Sequence, residues 1–341
     1  MRFRNILSIL ALVGSCLCSY GQGPAGRPNP LVWQEDELAI HFINTGRGNA
    51  SFLVLPDGTT LLVDAGDMDA DASARNLAPL RLAPALTDSS RRHGQWIVVY
   101  VRQVMPPGWQ PGLDYALITH YHGDHYGLVT LRSPLSVTGA YRFSGLTDVA
   151  ESLPIGTLLD RGYTYPVDVD AYYRTNPTFT NYRAFARYWV GRGRLKTAAL
   201  QAGRADQIIL RHAARLYPSF TVRAIKSNAE VWTGVGTATT RCFTAGQLLG
   251  GQKFNKNPLS NTIKVTCGPF AYYTGGDNTG YESNAYPGRQ DGETPMAKAI
   301  GQVDALTLDH HGNRDATNEY FLNALSPKVI VEQSWRSDQP S

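Results

Sequence analysis

Three histidines and a carboxylate fall within the six positions His120-Tyr121-His122-Gly123-Asp124-His125, directly after an apolar run. That density of imidazole and carboxylate is the chemistry of a metal site. On an extended segment, residues two apart project to one side, so His120 and His122 can share one ion. Gly123 lets the chain turn and aim Asp124 and His125 at a neighbouring ion. Nitrogen and oxygen donors without cysteine suit zinc, with manganese or iron as alternatives, and argue against a closed structural zinc site. A histidine-rich surface loop is the bland alternative; the position of the cluster at a strand end, inside the chain, disfavours it.

The same six residues match the HxHxDH motif, and the chain resembles the metallo-β-lactamase-fold hydrolases. The resemblance implies an α/β fold, the αββα four-layer sandwich, over about residues 35–335. It also implies roles for further segments. Asp64, which ends a strand, takes the place of a carboxylate that hydrogen-bonds the free N–H of a ligand histidine and fixes its tautomer. Asp277, after Gly275-Gly276, resembles the carboxylate that bridges two metals, since cations about 3.5 to 4 Å apart need an anion between them. Asp309-His310-His311-Gly312 resembles the last motif, with His311 as a ligand of the second metal. His310 is then either an alternate ligand or a proton donor facing substrate. Adjacent residues on an extended chain point apart, so one ion is not expected to take both. The implied sets are Asp124, His125, Asp277 and His311 for one metal, and His120 with His122 for the other. Asp124 is in addition a candidate for proton transfer.

The third histidine that the first metal usually takes is missing. Between His125 and Asp277 the chain offers only His212, whose context does not fit. The turn Asn257-Pro258-Leu259-Ser260-Asn261 resembles the competence-protein (ComEC-like) branch, which supplies no histidine there. Asn44 and Asn49 stand where that branch carries aspartates in an early turn. The resemblance implies hydrolysis, in which divalent metal lowers the pKa of water from 15.7 toward about 7. Substrate is not written in the motifs, because one fold hosts many chemistries. The competence branch and related choline-phosphate esterases favour phosphodiesters. A lactone or lactam hydrolase and a non-catalytic metal-binding module are the alternatives. A DNA-uptake component would need a membrane channel from a partner.

The elements that must position these residues are legible as alternating apolar runs. Strands are expected over 38–45, 51–55, 60–63, 96–104, 113–119, 220–225, 263–266, 270–274, 303–308 and 328–331. A final helix is expected over 318–325. Tyr182, Phe185 and Trp189 fall at helical spacing and read as a packed face, with a substrate-facing aromatic wall as the alternative. Arg183, Arg187, Arg192, Arg194 and Lys196 read as a solvated face, or as contacts to a phosphate-bearing substrate. His41 reads as a packed strand histidine and His93 as a loop residue. Asp67, Asp69 and Asp71 alternate as in a calcium loop, but Ala72 and Ala78 break that pattern, which leaves a solvated loop.

Residues 1–21 read as an export signal: Arg2 and Arg4, an apolar run from Ile6 to Leu17, and Ser19-Tyr20-Gly21 as a cleavage site. The run falls short of the roughly 20 apolar residues that span a bilayer. Val13-Gly14-Ser15-Cys16 has a lipobox-like order, so lipoprotein anchoring at Cys16 is an alternative to a secreted or periplasmic protein. Residues 22–34 read as a linker. Loss of the signal leaves 30 basic against 28 acidic residues, a net charge of +2, too near balance to indicate a nucleic-acid partner. An oxidising compartment would permit Cys242 and Cys267 to pair, and the sequence leaves that open.

Overall fold

The computed structural model describes residues 31–68, 83, 87–249, 255–280, 290–336 and 339–340. The expected signal, Cys16, Asp69 and Asp71 lie outside the described residues. Of the segment read as a linker, 31–34 are described: the Trp33 N–H donates to the Val104 carbonyl at 2.7 Å, and its ring packs on the core.

Two sheets form the centre. The first runs β1 (Ala39–Phe42), β2 (Ser51–Val54), β3 (Thr60–Val63), β4 (Leu113–Leu117), β5 (Ile155–Asp160) and β6 (Lys196–Ala199) in that spatial order. Its first three strands pair antiparallel and the rest parallel. The second contains β7 (Phe220–Ser227), β8 (Glu230–Trp232), β9 (Thr239–Arg241), β10 (Thr262–Cys267), β11 (Phe270–Thr274), β12 (Ala305–Thr307) and β13 (Val329–Val331), ordered β13-β12-β11-β10-β7-β8-β9. The helices that cover them are α1 (His93–Val104), α2 (Leu146–Ser152), α3 (Pro177–Val190), α4 (Glu293–Ile300) and α5 (Glu319–Leu325).

The side-chain period of two along each strand divides the interior into three layers. Leu61 and Val63 point between the sheets, where they meet Val222, Ile263 and Tyr272, while Leu62 points outward. On that outer face Phe52, Leu62 and Ala116 pack under Ile97, Val101, Val149 and Phe185 of α1, α2 and α3. Beyond the second sheet, Tyr273 and Leu306 pack under Met296, Ile300 and Phe321 of α4 and α5. Helix, sheet, sheet, helix is the αββα four-layer sandwich of the metallo-β-lactamase fold. Tyr182 and Phe185 are buried on α3, the packed face expected from their spacing, and Arg183 and Arg187 pair with Asp170.

The segment 96–104 is not a strand; it belongs to helix α1. Its buried residues, Gly94, Ile97, Val98, Val101 and Val104, recur every three or four positions. Packing of that apolar face on the first sheet outweighs the strand preference of its β-branched residues. His93 is likewise no loop residue. It begins α1, and its Nδ1 lies 2.5 Å from Asp67 Oδ1. Asp67 is therefore paired, not solvated. His41 is packed as expected, stacked on Phe52 and bonded to Tyr100. Cys242 and Cys267 are free thiols. Among the described residues, no helix is long and apolar enough to cross a membrane.

Parallel register brings the functional loops to one edge. Val63 lies opposite Leu117 and Tyr273 opposite Leu306, so the chain leaves β3 at Asp64, β4 at Thr119, β11 before Asp277 and β12 before Asp309 on the same side. Asn261 joins the two sheets there, donating from its N–H to the Thr119 carbonyl and from Nδ2 to the Ile118 carbonyl.

Fully buried Glu293, at the start of α4, braces the loop after β12. Its two oxygens accept from the Thr317 and Asn318 N–H groups at 2.6 and 2.8 Å. Burial pushes its carboxyl up to about 7, against the pull of those donors. An acid raised in the folded state favours folding below its unfolded value and loses that contribution as pH rises through the folded one. Buried Asp309 is hydrogen-bonded to Glu293 and raised with it, so stability from urea unfolding is expected to fall by about 3 kcal/mol from about pH 4.5 to 7 as the pair loses its proton. Glu293→Gln should flatten that part of the profile; an unchanged slope would contradict this assignment.

Candidate metal centre

The HxHxDH residues occupy a tight turn after β4. His122 is the N-terminal cap residue of the short helical turn Gly123–Tyr126, which brings the His125 ring back to 4.2 Å from that of His120. Two glycines from the β1–β2 and β3 loops make room for this turn. A Cβ on Gly66 would stand 2.0 Å from the Asp124 carbonyl oxygen and one on Gly48 2.5 Å from it, so only glycine permits the approach.

His125 is fully buried, with Nδ1 2.7 Å from Asp64 Oδ2 and Nε2 3.0 Å from Asp277 Oδ1. Asp64 is itself fixed, because Thr119 donates from its N–H to Oδ1 and from its hydroxyl to Oδ2, both at 2.8 Å. It holds the left-handed backbone, φ 59°, an unfavourable conformation for a non-glycine residue that the surrounding bonds maintain. His311 donates from Nδ1 to the Gln333 carbonyl at 2.7 Å, which turns the Nε2 lone pair toward Asp124 at 3.2 Å. Asp124 also accepts from Trp335 Nε1 at 3.1 Å. Across the centre, His120 Nε2 lies 2.9 Å from His122 Nδ1 and 3.5 Å from Asp277 Oδ2.

Asp277 thus turns one oxygen to each histidine set. Two groups of possible ligands result: Asp124, His125, Asp277 and His311, and His120, His122 and Asp277, each with donor atoms within 4.8 Å of one another. Burial and neighbouring charges keep His120 well below its ordinary pKa, and burial with the Lys256 charge brings His122 down to about 3. Both shifts favour the neutral ring, the form that ligates metal. Burial would raise Asp124 and Asp277, but the surrounding histidines hold both below the usual carboxylate range. His125 Nε2 and Asp277 Oδ1 face each other at 3.0 Å in the buried interior. Against burial, Asp277 and Asp64 raise the His125 pKa well above its ordinary value: the buried carboxylates call for positive charge at this point, which a divalent metal on this nitrogen and oxygen donor set would supply.

His310 departs from the extended geometry expected of it. His310 and His311 are both left-handed, with φ 46° and 56°, so the two rings are not simply opposed across a strand. The His310 N–H donates to the Gly276 carbonyl, its Nδ1 lies 2.6 Å from Asp315, and its Nε2 lies 3.0 Å from Asn257 Nδ2 and 3.9 Å from Asp277 Oδ2. It borders the His120 side without joining either group of possible ligands. Against burial, Asp277 and Asp315 raise its pKa, which suits a proton donor. His212 is exposed on the surface beside Asp114 and is not brought to the centre. Asn49 is buried under the metal turn, its N–H donating to the Asp124 carbonyl, and Asn44 caps Gly46. Sequence reasoning did not find Gln333, Trp335, Asp315 or Lys256. Only Asp315, five residues after His310, stood close to a motif.

No protein-family model matches the chain, and no curated protein matches it. Among solved structures the chain is similar to a variant of CmlA β-hydroxylase, with 13% identity and a TM-score of 0.41 over 89% of this chain and 46% of that one. It thus spans about half the length of that protein. It is similar to a metallo-β-lactamase from Cronobacter sakazakii, with 13% identity and a TM-score of 0.34 over 78% of this chain and 73% of that one. It is also similar to the short form of human tRNase Z, with 13% identity and a TM-score of 0.33 over 89% of this chain and 99% of that one. At these values the likeness carries no argument of its own; the fold rests on the layers and strand order described above.

Proposed function

We propose that the chain is an exported metal-dependent hydrolase whose substrates are phosphodiesters. The observation that carries the reading is Asp277, whose two carboxylate oxygens face separate histidine sets in a buried centre. Two divalent cations, zinc on the donor chemistry with manganese or iron as alternatives, would supply Lewis acidity and an activated water. His120 and His122 would hold one cation and Asp124, His125 and His311 the other, with Asp277 between them. Asp64 and the Gln333 carbonyl hold His125 and His311 in the tautomers that present Nε2. His310, braced by Asp315, stands ready to give a proton to the leaving group. The phosphodiester assignment is supported by the resemblance of the 257–261 turn to the competence branch, and export by the character of residues 1–21.

One observation favours a second reading. Among the described residues the group around His120 and His122 contains only those two histidines and the shared Asp277, so weak loading of its metal would leave a binding module without turnover. Hydrolysis of bis-p-nitrophenyl phosphate by the mature protein with added zinc or manganese separates the two. Turnover that a chelator removes and metal restores is the expected result. No turnover on phosphodiester, lactone or lactam probes would leave the binding module.

A further inference from the structure

Two buried cations, Arg161 and Lys226, and a half-buried one, Lys256, lie around the segments that carry Tyr121 and the 257–261 turn. Arg161, which follows β5 at the functional edge, is 2% exposed. Its Nη1 donates to the Tyr165 carbonyl and to Asn228 Oδ1, and its Nε and Nη2 are buried with no hydrogen-bond partner. Its guanidinium lies 5.2 Å from the centre of the Tyr121 ring, and Tyr121 sits between the ligand candidates His120 and His122. Lys256 reaches the other side of the same residue: its Nζ donates to the Tyr121 carbonyl at 3.0 Å and stands 4.7 Å over the Tyr173 ring. Lys226, behind them, donates to the Pro258 and Ser260 carbonyls. Among the described residues none of the three has an acidic partner within 4.0 Å.

Like charges held together in a low-dielectric interior repel strongly, and a buried cation without a counter-charge is costly. Arg161 is near enough to both lysines to disfavour their protonation, and burial with that charge brings Lys256 down to about 8. Asp160 offsets the charge of Arg161, Asp309 that of Lys226 and Asp124 that of Lys256, each without a salt-bridge contact. Lys226 has its ammonium committed to carbonyls. Lys256 differs: it is partly exposed, uses one N–H on Tyr121, and lies beside His122. It is the one member of the trio that is not fully buried.

We propose that Lys256, with Arg161 behind it, forms an anion-binding wall on the His122 side of the centre that receives a phosphoryl group of the substrate. This deepens the hydrolase reading and rests on it only for what the group belongs to. Lys256 is a specificity-determining residue: the wall selects substrates that carry negative charge there over neutral esters or lactones of the same size, and Arg161 is a positioning residue that maintains the field.

The test is calorimetric titration of inorganic phosphate into chelator-treated full-length protein at pH 7, for the wild type, Lys256→Met and Lys256→Arg, with thermal melts to verify folding. Weakening of about tenfold or more in Lys256→Met, with Lys256→Arg within about threefold of wild type, is the expected result. Unchanged binding in Lys256→Met, equal losses in both variants, or no phosphate binding by the wild type would overturn the proposal. If Lys256→Met does not fold, Lys256→Gln carries the same comparison. Phosphate binding that depends on Lys256 in a protein without turnover on any probe would support the wall and overturn the hydrolase reading, so the two fail separately.

Discussion

Asp277→Ala is expected to lower phosphodiester turnover by about 10³-fold or more while leaving the protein folded. Its carboxylate is the one group shared by both sets of possible ligands. Removing it leaves two cations a few ångströms apart without an anion between them, and their repulsion is large at that distance. The charge stabilisation lost is several kcal/mol, and each 1.36 kcal/mol is tenfold in rate. Folding should survive, because the Asp277 N–H bond to Ser260 Oγ is made by the backbone and is kept. Turnover within tenfold of wild type, at saturating metal, would remove Asp277 from the centre of the account.

Asp64→Asn has the second largest expected effect, and its direction follows from hydrogen-bond polarity. Asp64 accepts from three donors: the Thr119 N–H at Oδ1, and the Thr119 hydroxyl and His125 Nδ1 at Oδ2. In the variant, the Thr119 N–H requires the amide oxygen, so the amide NH₂ must face His125. That donor can bond only to an unprotonated Nδ1, which moves the ring proton to Nε2 and points it where the cation should sit. Metal affinity should fall about 10- to 100-fold, read by titration with a competing chelator. Asp64→Ala removes the wrong donor together with the carboxylate, and should bind metal more tightly than Asp64→Asn if tautomer is the cause. The reverse order would point to charge instead.

Much of the fold was legible because strands buried on both faces leave short apolar runs between turn residues. Leu61, Leu62 and Val63 are such a run, with Leu61 and Val63 in one layer and Leu62 in the next. The segment 96–104 was misread for the converse reason: a run of Ile, Val and Tyr with few polar residues has no clear period by eye, and only the layer it covers selects the helix. The residues brought together at the edge were those in short motifs, where several donors lie within a few positions. The groups that hold them came from distant segments. Trp335 and Gln333 follow the last strand, and Lys256 stands just before the 257–261 turn with no pattern of its own. Such groups act through one hydrogen bond each, which leaves no periodicity or spacing. Asp67 and His93 illustrate the same limit, since their pairing is made only by docking α1 against the β3 loop.

Metal content of the mature protein, measured by elemental analysis after equilibration with zinc or manganese and removal of excess, tests the central claim most directly. Close to two metals per chain are expected in the wild type. Asp277→Ala should lose at least one of them, because the shared carboxylate faces both groups of possible ligands. One metal or none in the wild type, or two retained in Asp277→Ala, would contradict a centre bridged by Asp277.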